Sequence, residues 1–99
     1  MASSTILLVD DDPVFTQFTK NLLTENDMEV VTAFNKAEAL DILDKRHFSC
    51  VIFDIFLPDG SGVDLIRPFR SNGGTTPIIM VSGQGDVEEV VRAMKDGAN

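Results

Sequence analysis

The chain has 99 residues, 43% of them hydrophobic, with sixteen acidic side chains against eight basic ones and a net charge of −8. That length holds one domain with one core, burying somewhat over ~60% of the unfolded surface. No apolar run approaches the roughly 18 residues of a membrane span, and no basic stretch precedes the first apolar run as it would in a secretory signal. No Lys/Arg cluster exceeds the pair Lys45-Arg46, which argues against direct nucleic-acid binding and its phosphate contacts. Cys50 is the only cysteine and His47 the only histidine, so neither an internal disulfide nor a zinc-type ligand set can form. A cytoplasmic protein is expected. The acid excess fits a cation site or a basic partner surface, and equally a plain solvated surface.

Ile6 to Val9 reads as a short strand, apolar on both faces and stopped by Asp10-Asp11-Asp12. Asp12 before Pro13 suits a helix N-cap with proline at the first helical position. Val14, Phe15, Phe18, Leu22 and Leu23 then predict an amphipathic helix to about Glu25. After the Asn26-Asp27 turn, Met28 to Phe34 reads as a more polar strand and therefore one nearer an edge. Asn35 can cap a second helix carrying Ala37, Leu40 and Leu43 on one face, with Ala39 and Ile42 beside them. It ends around Lys45-Arg46-His47, where positive charge suits a helix C-terminus and His47 reads as an exposed end residue rather than a ligand.

Phe48 to Asp54 forms the third strand. A loop over Pro58 to Gly62 leads to a short helix with Val63, Leu65, Ile66 and Phe69, which Pro68 should kink or shorten. That glycine-bearing loop reads as a turn in preference to a phosphate cradle. Pro77 to Val81 is a fourth buried strand ending at Ser82-Gly83, and Val87, Val90, Val91 and Met94 mark a last helix that Gly97 closes. Strand and helix alternate four times, which implies a parallel sheet with helices on both faces.

Parallel strands present their carboxyl ends on one edge, the edge where open α/β sheets place their chemistry. Asp10, Asp11, Asp12, Asp54 and Ser82 all stand at or just past such ends. Two carboxylates ~5 Å apart at an effective dielectric of ~20 repel by roughly 3 kcal/mol, so a cluster of them calls for a cation. Oxygen-only donors point to Mg²⁺. Capping of the first helix accounts for Asp12 but leaves Asp10 and Asp54 without a structural reason.

Ile6-Leu7-Leu8-Val9-Asp10-Asp11-Asp12-Pro13, Asp54 followed by Leu57-Pro58-Asp59-Gly60-Ser61-Gly62, Pro77-Ile78-Ile79-Met80-Val81-Ser82-Gly83 and Ala93-Met94-Lys95-Asp96-Gly97-Ala98 together resemble the receiver domain of two-component response regulators. The likeness spans nearly the whole chain. It implies a flavodoxin-like, doubly wound parallel sheet, with strand order 2-1-3-4 over residues 1–99. It further implies that Asp54 is the nucleophile taking a phosphoryl group from a sensor histidine kinase or phosphotransfer protein. By the same resemblance Asp10, Asp11, Asp54 and the backbone carbonyl of Phe56 would hold Mg²⁺, and Ser82 would hydrogen-bond the phosphoryl oxygen and switch the loop and helix after it. Catalysis beyond Mg²⁺-dependent self-phosphorylation and autodephosphorylation is not expected.

The family pattern continues with a fifth strand bearing a lysine and a fifth helix, whereas this sequence ends at Asn99, and Lys95 in the fourth helix cannot be that lysine. The expectation is a receiver that lacks these elements in this chain, with Ile78 to Val81 as an apolar sheet edge. Either further native sequence or a second copy, by homodimerisation or strand exchange, would cover that edge. If the family lysine is truly lacking, the alternative is a phosphorylation-independent receiver-like interaction domain. A phosphatase with an aspartate nucleophile is weaker, because it would want a second acid two residues beyond Asp54, where Phe56 stands.

Overall fold

The computed structural model describes residues 4–71 and 75–81. Strand β1 (Thr5–Val9) leads into helix α1 (Pro13–Glu25), then β2 (Glu29–Ala33), α2 (Lys36–Lys45) and β3 (Cys50–Asp54). A two-residue hairpin, β4 (Phe56–Leu57) and β5 (Gly60–Ser61), follows. A 3₁₀ turn (Gly62–Leu65), α3 (Ile66–Ser71) and β6 (Ile78–Val81) complete the described chain. The sheet runs β2-β1-β3-β6, all parallel. This is the expected 2-1-3-4 order, with β6 as the fourth strand of the sheet. The helix expected over Val87 to Met94, and Ser82 with it, lie outside the described residues.

One face of the sheet is sealed. Leu7, Val9, Ala33, Val51, Phe53 and Ile78 form one buried cluster with Ala39 of α2 and with Val63, Leu65 and Ile66 from the 3₁₀ turn and α3. Each fully buried Leu, Val, Ile or Phe contributes about 1.5–3 kcal/mol from burial alone. The opposite face opens toward β6. Along the row Thr32, Leu8, Ile52, Ile79, set by the strand register, Leu8 is fully buried and Ile79 is 48% exposed.

Helix rotation departs from the expected stripes. In α1 the buried residue is Thr16, while Val14, Phe18 and Leu22 are exposed at 77%, 68% and 49%. Asp12 caps the helix through the backbone N–H groups of Val14 and Phe15, and the Thr16 hydroxyl donates to the Asp10 carbonyl at 3.5 Å. Thr16 thus faces the end of β1 while the 14-18-22 line lies on the surface. In α2 the inward stripe is Ala39, Ile42 and Leu43, and Leu40 is 44% exposed. Pro68 is the third residue of α3, a helix of only six residues, and it lies in the first turn, where its missing N–H costs no intrahelical bond, so the helix is short and not kinked.

Candidate functional site

Asp10 is the residue after β1 and Asp54 is the last residue of β3. The β1–β3 register places Val9 opposite Phe53, so the two acids come off neighbouring strands at one level. Asp11 joins them: ligand oxygens of Asp10, Asp11 and Asp54 all lie within 4.8 Å of one another. Asp10 is buried, Asp54 half-buried and Asp11 exposed, so the cluster faces solvent on one side.

Each acid is held differently. The Asp10 backbone N–H donates to the Ala33 carbonyl at 3.0 Å, and its Oδ1 accepts from the Asp12 N–H at 2.9 Å. Burial pushes its carboxyl above the usual range, with Asp54, Asp11 and Asp12 adding in that direction and the Asp12 N–H opposing. Asp54 is also raised, first by burial and then by the charges of Asp11 and Asp12, against the Phe56 N–H that donates to its Oδ1 at 3.2 Å. Two neighbouring carboxyls both pushed toward their neutral forms, first by burial and then by the charge of nearby acids, mark a candidate functional site. Asp12 points its carboxylate at the first turn of α1 and serves as its cap.

Of the residues singled out in the sequence, the structure brings Asp10, Asp11 and Asp54 together and sets the Phe56 amide on Asp54. Ser82 lies outside the described residues; Val81, before it, is paired with Asp54 in the sheet. His47 is exposed beyond the end of α2.

Two residues beside the site went unnoticed within the Pro58 to Gly62 loop. Gly62 is buried and starts the 3₁₀ turn, its N–H donating to the Ile55 carbonyl at 2.6 Å. A Cβ there would collide with the Asp54 carbonyl oxygen and lie 2.8 Å from Phe53 Cδ2. The glycine is therefore a packing requirement of the strand that carries Asp54. Asp59 accepts from the backbone N–H groups of Lys36 and Ala37 at 2.9 and 3.1 Å, closing the start of α2 from 22 and 23 residues away. An Asp-Gly pair after a strand reads as a turn, and nothing in its spacing points to α2.

The family model described as the response regulator receiver domain matches residues 6–99. The response regulator protein PilR of Pseudomonas aeruginosa is 31% identical over 98 residues, covering 99% of this chain and 22% of that protein. A CheY-like response regulator receiver domain protein from Methanospirillum hungatei superposes with a TM-score of 0.94 at 32% identity, covering 99% of this chain and 78% of that one. A response regulator from Burkholderia pseudomallei, solved with a phosphorylated aspartic acid, a calcium ion and citrate, gives a TM-score of 0.90 at 30% identity, covering 97% and 56%. The chain spans less than half the length of the curated relatives it matches. Sheet order, acid cluster and matched sequence agree, and the chain belongs to the response regulator receiver domain family.

Proposed function

We propose that this domain is a phosphoacceptor in which Asp54 takes a phosphoryl group from the phosphohistidine of a sensor histidine kinase or phosphotransfer protein. The observation that carries the reading is the meeting of Asp10, Asp11 and Asp54 at the carboxyl edge of the sheet, their ligand oxygens within 4.8 Å. An ionised carboxylate needs no general base. An Asp54 oxygen bonds to phosphorus as the P–N bond to the imidazole breaks, and the imidazole nitrogen keeps the electron pair.

Three oxygen donors, one buried and one exposed, fit a hard cation that retains waters, so Asp10, Asp11, Asp54 and the Phe56 carbonyl would hold Mg²⁺. When bound, the cation offsets the mutual repulsion of the carboxylates and stabilises charge on the equatorial oxygens of the transferring group. Asp10 serves this arrangement by being fixed at both its backbone N–H and its carboxylate. The phosphorylated aspartate and calcium ion of the Burkholderia pseudomallei protein support the same chemistry here. Ser82 would hydrogen-bond the phosphoryl oxygen, and its inward movement would shift the loop and helix after it. Among the described residues no helix is long and apolar enough to cross a membrane, and we place the domain in the cytoplasm with its kinase. The β6 edge, the end of the sheet opposite β2 among the described residues, would serve a homodimer.

The test is incubation with Mg²⁺ and acetyl phosphate followed by intact mass. Wild type should gain the mass of one phosphoryl group and Asp54→Asn should not. A wild type that gains none overturns the proposal and leaves the phosphorylation-independent interaction domain.

A further inference from the structure

The start of α2 is closed in two ways. Asn35 caps it locally, its Oδ1 accepting from the Glu38 N–H at 2.8 Å and its carbonyl from the Ala39 N–H at 3.2 Å. The remaining two N–H groups, of Lys36 and Ala37, both go to the carboxylate of Asp59. Asp59 is exposed, so water could satisfy the same donors and the helix has no strict need of it. What the paired contact does need is a fixed loop. The two donors hold the Asp59 carboxyl below its ordinary range, the Lys36 N–H being the largest cause, and the Lys36 charge adds in the same direction.

The same end of α2 grips the far side of the hairpin. Lys36 Nζ lies 3.1 Å from Asp64 Oδ2 in the 3₁₀ turn. Between the two acids, Gly60 has φ +134°, and a Cβ on it would stand 2.7 Å from Lys36 Nζ. Residue 36 thus meets the segment before Gly60 with its main chain and the segment after it with its side chain. Pro58 stiffens the short run back to Phe56, whose N–H rests on Asp54 Oδ1.

We infer that Asp59 is a positioning residue: by anchoring the β4–β5 hairpin to the start of α2, it holds the Phe56 backbone against Asp54 and so sets the affinity of the acidic site for its divalent cation. The part of this that concerns the cation rests on the function proposed above; the part that concerns the Phe56 backbone does not. Asp59 touches neither the acids nor the reacting atoms, and acts only through the hairpin.

The experiment uses the 99-residue chain with Asp59→Ala, Asp59→Asn, Asn35→Ala and Asp54→Asn. With no Trp or Tyr in the sequence, the readout is amide NMR and calorimetric Mg²⁺ titration. Without metal, Asp59→Ala should shift the Phe56 amide resonance and speed its hydrogen exchange. Asn35→Ala removes a cap from the same helix but should leave Phe56 unmoved. With Mg²⁺, Asp59→Ala should weaken binding about tenfold, the lower end of what supporting contacts around a metal site cost. Asp59→Asn keeps one acceptor oxygen and should fall between it and wild type, while Asn35→Ala should stay within about twofold of wild type.

An unmoved Phe56 amide in Asp59→Ala overturns the proposal, whatever the metal does. So does an equal loss of affinity in Asn35→Ala, which would reduce Asp59 to a helix cap. A wild type that binds no Mg²⁺, or binds it no better than Asp54→Asn, overturns the cation part through the failure of the proposed function, and the metal-free amide shift still decides the hairpin part.

Discussion

Gly62→Ala separates two effects of opposite sign. In a helical turn, alanine gains up to about 1 kcal/mol over glycine from backbone entropy, and only Gly60 among the described glycines has positive φ. Judged on its own backbone, the substitution should stabilise. The surroundings say otherwise. The new Cβ would collide with the Asp54 carbonyl oxygen, and it would lie 2.8 Å from Phe53 Cδ2 and 3.2 Å from the Asp54 carbonyl carbon. Reaching an ordinary carbon contact of about 3.5 Å opens the Phe53 gap by roughly 0.7 Å. Asp54 is paired in the sheet and Phe53 is 1% exposed, so neither has room to retreat. Overpacking of this kind costs about 2–3 kcal/mol, leaving a net loss of about 1–2 kcal/mol after the propensity gain. For a domain of this size that lowers Tm by about 4–16 °C. Thermal unfolding followed by far-UV circular dichroism in EDTA measures it. A variant melting at or above the wild-type temperature would refute the close approach.

Two further outcomes follow from the acid cluster and the sheet faces. The Asp54 carboxyl is raised above its unfolded value, so between those two values the folded state binds the extra proton and stability falls as pH rises. In EDTA, Asp54→Asn should therefore match wild type near pH 4 and melt higher than wild type at pH 7, and saturating Mg²⁺ should shrink the gap; a gap that is constant with pH would contradict the raised Asp54 carboxyl. On the exposed line of α1, Phe18→Gln should change stability by no more than about 0.5 kcal/mol, whereas in β1 Leu8→Ala should cost about 2–5 kcal/mol. Urea titrations of the two variants test this, and a comparable loss in both would mean that the 14-18-22 line is packed after all.

Strands β1 and β3 were legible because they are short apolar runs ended by acids, and those stops also mark the acid cluster, whereas the more polar β2 was legible from Val30-Val31-Thr32. Helix positions were legible from Asp12-Pro13 and Asn35, since caps are local chemistry. Helix rotation was not. Val14, Phe18 and Leu22 have helical spacing, yet the side that turns inward carries Thr16, whose hydroxyl meets the Asp10 carbonyl at the end of β1, and helical spacing alone does not say which side meets another element. Ala37 and Leu40 misled in α2 for a similar reason, because Lys36 and Ala37 are tied to the hairpin. Gly62 and Asp59 carry turn-like letters while their roles depend on atoms in β3 and α2, and no local pattern encodes a partner more than twenty residues away.

Neighbouring strands in any sheet stand about 4.8 Å apart, and Asp10 and Asp54 leave adjacent strands at one level. The ligand oxygens of the cluster lie within 4.8 Å of one another, a distance that also depends on side-chain reach and on Asp11. What the ladder sets is the backbone separation from which the Asp10 and Asp54 side chains start. Exchanging either acid for glutamate would change the reach of one arm while that backbone separation stayed as it was.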